Sequence, residues 1–226
     1  VLIMKGRIRR EVAVSPLPPR LGKIKCGKRS EKGFPQSVDY FIATGKYAPL
    51  FDAVYPHANS LLVYFPSDDP EQVCRENYVY RDNAGRKVAE GDGEEFLIWS
   101  ERKQARVKCN INDNPDIMAQ VEKKYPSKTG WQVTLTLNVV LPMVNKIYGV
   151  WTFETKASAS SIPQIRDTFD AMLEANGHIS GVLCDLNVAF AKADNPSGSR
   201  FPVVTLIPNE TETNIAKVQE VKMLGR

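Results

Sequence analysis

The eleven residues Trp131-Gln-Val-Thr-Leu-Thr-Leu-Asn-Val-Val-Leu141 constrain the fold most. Trp131, Val133, Leu135, Leu137 and Val139 fall on one side of an extended chain, and Gln132, Thr134, Thr136 and Asn138 on the other. A period of two marks a strand with one face in a core and one face turned away from it. Pro142 ends it, because proline cannot donate to a ladder. Gly149 to Thr155 supplies a second strand, expected to pair with the first antiparallel.

The rest of the chain follows that lead. Leu21 to Gly27 alternates, with Leu21, Lys23 and Lys25 expected on one face and Ile24 and Cys26 on the other. A turn over 28–35 returns it to Val38–Ala43, a hairpin. Ala48 to Val54 reads as one or two helical turns, stopped by Pro56. Ser60 to Phe65 is a continuous apolar run and is expected to be a central strand. Asp68-Asp69-Pro70-Glu71 signals a short helix over 70–76, with the two acids as cap and dipole partners. Tyr78–Arg81 and Lys87–Glu90 form a hairpin across Asp82-Asn-Ala-Gly85, and Phe96–Trp99 is a further strand. Residues 100–130 are the least legible, apart from a helical spacing of Ile117, Met118 and Val121 before Pro126. Ile165, Phe169, Met172 and Leu173 form one stripe of a longer helix that starts at Ser160–Pro163 and ends at Gly177. Val182–Ala191 and Arg200–Ile207 are strands around a turn at 195–199, the second an edge strand because of Pro202.

Strands outnumber helices about three to one and hairpins join most neighbours. The expected class is α+β, a mainly antiparallel sheet with a few short helices and one longer helix packed on it. The expected organisation is a basic, proline-ended arm over 1–19, one domain over 20–208, and a polar-to-amphipathic tail over 209–226. The tail carries Ile215, Val218, Val221 and Leu224 at every third position. Val1-Leu-Ile-Met4 is too short for a signal-peptide core, so the expected location is the cytoplasm.

Charge is concentrated at one end. Residues 1–46 hold 11 Lys/Arg against 3 acids, a net of +8 within a chain of net +4. A dense basic arm points to an electrostatic partner, often nucleic-acid phosphate. The candidate contacts, to nucleic acid or to a protein partner, are Arg7, Arg9, Arg10, Arg20, Lys23, Lys25, Lys28 and Arg29. A single-stranded DNA-binding or annealing protein is therefore one reading. Against it, no aromatic residue interleaves with these cations before Phe34.

Chemistry-bearing motifs are missing. Cys26, Cys74, Cys109 and Cys184 are too far apart for a zinc clamp, and His57 and His178 stand alone. No phosphate-binding glycine loop or nucleophile elbow occurs. A metal hydrolase would have to use Asp68, Asp69, Asp92 and Glu94. The expectation is no enzyme, no catalytic residue, no metal and no cofactor.

Five ordered motifs carry a resemblance: Arg20-Leu-Gly-Lys-Ile-Lys-Cys-Gly27; Phe34-Pro-Gln-Ser-Val-Asp-Tyr-Phe41; Ser60–Phe65 followed by Pro66-Ser-Asp-Asp-Pro70; Lys87-Val-Ala-Glu-Gly-Asp-Gly93; and Gly149-Val-Trp-Thr-Phe-Glu-Thr155 with Ser160-Ser-Ile162. Over residues 20–207 the chain resembles the phage recombination directionality factors of the large serine integrases. The resemblance implies a non-enzymatic regulator that binds a serine integrase seated on DNA and favours excision over integration, touching DNA directly or through the integrase. Some members of the family carry a cysteine cluster in the middle region. Here residues 105–130 hold only Cys109, so a metal is not carried over.

Overall fold

A computed structural model describes residues 17–192 and 198–209. The arm cations Arg7, Arg9 and Arg10, the amphipathic tail, and most of the turn at 195–199 lie outside the described residues. In chain order the elements are β1 (Arg20–Arg29), β2 (Pro35–Thr44), α1 (Ala48–Val54), β3 (Ser60–Tyr64), α2 (Pro70–Val73), β4 (Cys74–Arg81), β5 (Lys87–Gly91) and β6 (Glu95–Ser100). They continue as β7 (Ala105–Asn110), α3 (Ile117–Lys124), β8 (Trp131–Val139), β9 (Val150–Thr155), α4 (Ser161–Asn176), β10 (Leu183–Lys192) and β11 (Arg200–Pro208). The class is α+β, as expected.

Eight strands form one sheet in the order β2-β1-β9-β8-β4-β5-β6-β7. All its described pairs are antiparallel except β1 with β9. The long alternating strand is β8, and β9 is its antiparallel neighbour, with Leu137 opposite Phe153. A second sheet has the order β11-β10-β3, with β11 on an edge as Pro202 requires.

The main core lies between these sheets. Leu135, Leu137, Val139, Trp151 and Phe153 of the large sheet meet Leu61, Val63, Cys184, Leu186 and Val204 of the small one. Ile162, Ile165, Phe169 and Met172 of α4 complete it, so the apolar stripe is core, as its spacing predicts. Gly177 ends the helix in the left-handed conformation, φ 69°. A smaller cluster packs Val121 and Tyr125, from α3 and its end, onto Tyr80, Val88 and Ala89.

Helix α4 is also pinned by a polar bond. The buried Ser161 hydroxyl accepts the Val204 N–H of β11 at 2.9 Å. Ser161→Ala strands that N–H, and an unsatisfied buried donor costs about 1–3 kcal/mol. The expected result is an unfolding free energy lowered by that amount, measured by denaturant titration, with the fold retained.

Four expectations need correction. Leu21 does not share a face with Lys23 and Lys25: it is buried together with Ile24, while the lysines are exposed. The register of β1 against β9 shifts between Arg20 and Gly22, which turns Leu21 inward. Strand β3 is not central but sits at one end of the small sheet. Its apolar character comes from packing between the two sheets, and Tyr64 forms an isolated bridge to Val140, the residue after β8. Helix α2 stops at Val73, not at Glu76, because Cys74 onward pairs with β8. Asp69 alone caps it, accepting the Glu71 N–H at 3.0 Å. Asp68 instead accepts the N–H groups of Ser180 (2.6 Å) and Ile179 (2.8 Å), which hold its carboxyl below the usual range.

Candidate partner-binding face

Residues opposite each other in a ladder share a face. The side of the large sheet away from the core therefore has a definite composition. It carries Lys23 and Lys25 of β1, then Thr152 and Glu154 of β9. It continues with Gln132, Thr134, Thr136 and Asn138 of β8 and Arg75, Asn77 and Val79 of β4. Glu90 of β5, Leu97 of β6 and Lys108 of β7 complete it. The alternation of Trp131 to Leu141 is what puts polar side chains here. Among the described helices, α2 meets this face, where Asn138 Nδ2 donates to the Gln72 carbonyl at 2.7 Å. The side chains of α1, α3 and α4 pack into the clusters on the other side.

Most charges on this face are paired. Lys23 reaches Glu154 at 3.2 Å and Lys108 reaches Glu95 at 2.6 Å. Glu90 is the centre of a larger cluster: Lys87 lies 2.5 Å away, Arg75 3.6 Å, and Arg106 also binds it. Burial works against the Glu90 charge, but Lys87, Arg106 and Arg75 together hold its carboxyl below the usual range. These pairs fix the sheet's outer surface and leave the face cationic.

Of the sequence candidates, Arg20, Lys23, Lys25, Lys28 and Arg29 all belong to β1. Arg20, Lys23, Lys25 and Lys28 are exposed. Lys23 is engaged by Glu154, and Lys28 Nζ donates to the Tyr40 hydroxyl at 3.4 Å. The structure adds cations that sequence reading missed: Arg75, Arg81, Lys87, Arg106, Lys108 and Lys156. The polar positions of β8 signal a hydrophilic side of the sheet, but which cations join it is set by the strand order, which no local pattern announces.

The acids of the hydrolase reading do not converge. Asp69 caps α2, Asp68 ties the loop before it to residues 179–180, and Asp92 accepts the N–H groups of Glu94 and Glu95 at 2.8 and 2.7 Å. Among the described residues no three His, Cys, Asp or Glu side chains gather as a metal site would require.

A family model described as Gp3-like, recombination directionality factor-like, matches residues 21–209, most of the 226-residue chain. The chain belongs to that family. The match runs from β1 to the end of β11 and takes in the five ordered motifs, which end at Ile162. It supports a role in regulating DNA recombination, with a recombinase as the partner the family suggests. No curated protein and no solved structure matches the chain. No described helix is long and apolar enough to cross a membrane.

Proposed function

We propose that this protein is a phage or mobile-element recombination regulator that binds a serine integrase–DNA complex and shifts it from integration toward excision. The observation that carries the reading is the family match from residue 21 to residue 209. It acts in the host bacterial cytoplasm, by binding alone, and makes or breaks no covalent bond. The engagement of Asp68, Asp69 and Asp92 with backbone N–H groups supports that part.

The physics is a population shift. Integrase subunits on DNA have two pairing arrangements, and a ligand moves the balance only by its difference in affinity for them. Turning a 1:99 ratio into 99:1 needs about 10⁴-fold preference for one arrangement. The paired cations of the large sheet and the exposed cations of β1 offer a rigid surface on which such a preference can rest.

A serine integrase from the same element, immobilised on its attachment-site DNA, tests the proposal. The expected result is retention of the full chain, with recombination of the product sites switched on and that of the starting sites suppressed. No retention on the complex, or retention with unchanged direction, rejects it.

A further inference from the structure

We propose that the outer face of the large sheet holds a phosphodiester backbone along a diagonal track running from Lys25 through Lys156 to Arg81. This deepens the regulator reading by making DNA in the recombinase complex a direct ligand of this face. It concerns folded sheet residues and is separate from the basic arm.

The track stands out among the cations of this face. Lys23, Arg75, Lys87, Arg106 and Lys108 each have a carboxylate within ion-pairing distance. Among the described residues, Lys25, Lys156 and Arg81 have none. Lys156 Nζ donates to the Gln132 amide oxygen at 2.6 Å, and Arg81 donates to the Gly85 carbonyl at 3.3 Å. Both contacts are neutral, so they orient the cations without cancelling them.

The registers place the three along one line. Lys23 lies beside Thr152, which brings Lys25 level with Glu154 and puts Lys156 two residues further on. Gln132 faces Val79 across β8 and β4, and Arg81 follows Val79 by two residues on the same side. From β1 to β4 the track crosses three inter-strand gaps, about 14 Å, and advances about 20 Å along the strands. A linear polyanion suits that shape better than a compact ion does.

Lys156 and Arg81 also repel each other. Burial and then the Arg81 charge pull the Lys156 ammonium below its usual range, and Glu154 offsets this only in part. An anion bridging the two cations removes that repulsion. Gln132 and Thr136, both half-buried on this face, add neutral groups able to hydrogen-bond phosphate oxygens and sugar, contacts that position a protein without reading sequence.

The test titrates the full chain with a labelled duplex of about 40 base pairs between about 50 and 200 mM salt. Each neutralised phosphate contributes about 0.9 to the slope of log affinity against log salt. The Lys25→Gln, Lys156→Gln, Arg81→Gln triple variant is expected to flatten that slope by about 2 to 3 and to weaken binding at least about tenfold at low salt. Lys108→Gln, which removes a cation already paired with Glu95, serves as the control and is expected to leave the slope nearly unchanged. Circular dichroism establishes that the variants are folded.

An unchanged slope in the folded triple variant overturns the proposal, as does a wild-type chain that does not bind the duplex. Loss of retention on DNA-free integrase with duplex binding intact also overturns it, since the face would then be a protein-docking surface. Failure of the wild type to bind integrase at all rejects the regulator reading and leaves the phosphate track to be judged on the duplex titration alone.

Discussion

Trp151→Ala is expected to lower the stability of this protein by about 4 kcal/mol, within the range for deleting a buried tryptophan side chain. Trp151 is 1% exposed and sits on β9, where the parallel pairing with β1 and the antiparallel pairing with β8 meet. Its ring lies 5.7 Å from that of Phe51, the buried residue of α1. On the other side the backbone of Gly22 approaches so closely that a Cβ there would stand 2.8 Å from the indole and 2.3 Å from the Thr44 carbonyl. The ring thus packs from β9 between β1 and α1, and neither β1 nor β9 can move in to fill the space without breaking a ladder. The cost therefore includes a residual cavity as well as lost burial. For a chain of this size about 4 kcal/mol corresponds to a melting temperature lowered by about 8–16 °C. Met143→Ala, at a side chain 55% exposed, is the contrast and should change stability by less than about 0.5 kcal/mol. A Trp151→Ala midpoint as close to wild type as that would show that β1 and α1 do not depend on this ring.

The importance of Trp151 was only half visible in the sequence. Its alternation with Phe153 marks an inward strand face, and that is a local signal. The parallel neighbour β1 is 130 residues away and no local pattern announces it. The same division runs through the whole fold. The hairpin over 82–85 was legible because its determinants are contiguous: Asp82 accepts the Ala84 and Arg86 N–H groups, and Gly85 takes φ 78°. Strand β7 was not legible. Ala105-Arg-Val-Lys-Cys-Asn110 is an edge strand with no fully buried position, so its apolar alternation is weak. The end of α2 was misread because a long-range pairing, Cys74 with Leu137, overrides local helix preference. The candidate face shows the limit most plainly. Lys25 was legible as one charge in a basic run, but Lys156 and Arg81 join it only through the order β1-β9-β8-β4.

Glu90→Gln is expected to cost about 3 kcal/mol, at the lower end for removing one partner from a buried ionic cluster. The glutamate side chain is 7% exposed, whereas Arg75, Lys87 and Arg106 are 43%, 29% and 34% exposed. Water already compensates part of each cation's charge, which keeps the loss toward the lower end. The amide keeps the shape and removes the charge, so three cations from β4, β5 and β7 are left facing one another. The effect must also depend on pH with a definite sign. The Glu90 carboxyl is held below its ordinary value of 4.5, burial opposing the charge and the three cations favouring it more strongly. Its contribution is therefore fully present above that value and fades as pH falls through the lower, folded-state value. Wild type and Glu90→Gln should differ most near neutral pH and converge in acid. A double-mutant cycle with Arg106→Gln should return a coupling of at least about 1 kcal/mol at neutral pH, since the two groups are in contact. Parallel pH–stability curves for wild type and Glu90→Gln would show that the cluster is a set of solvated surface charges. The outer face would then lack the rigidity that presentation of the Lys25–Lys156–Arg81 track requires.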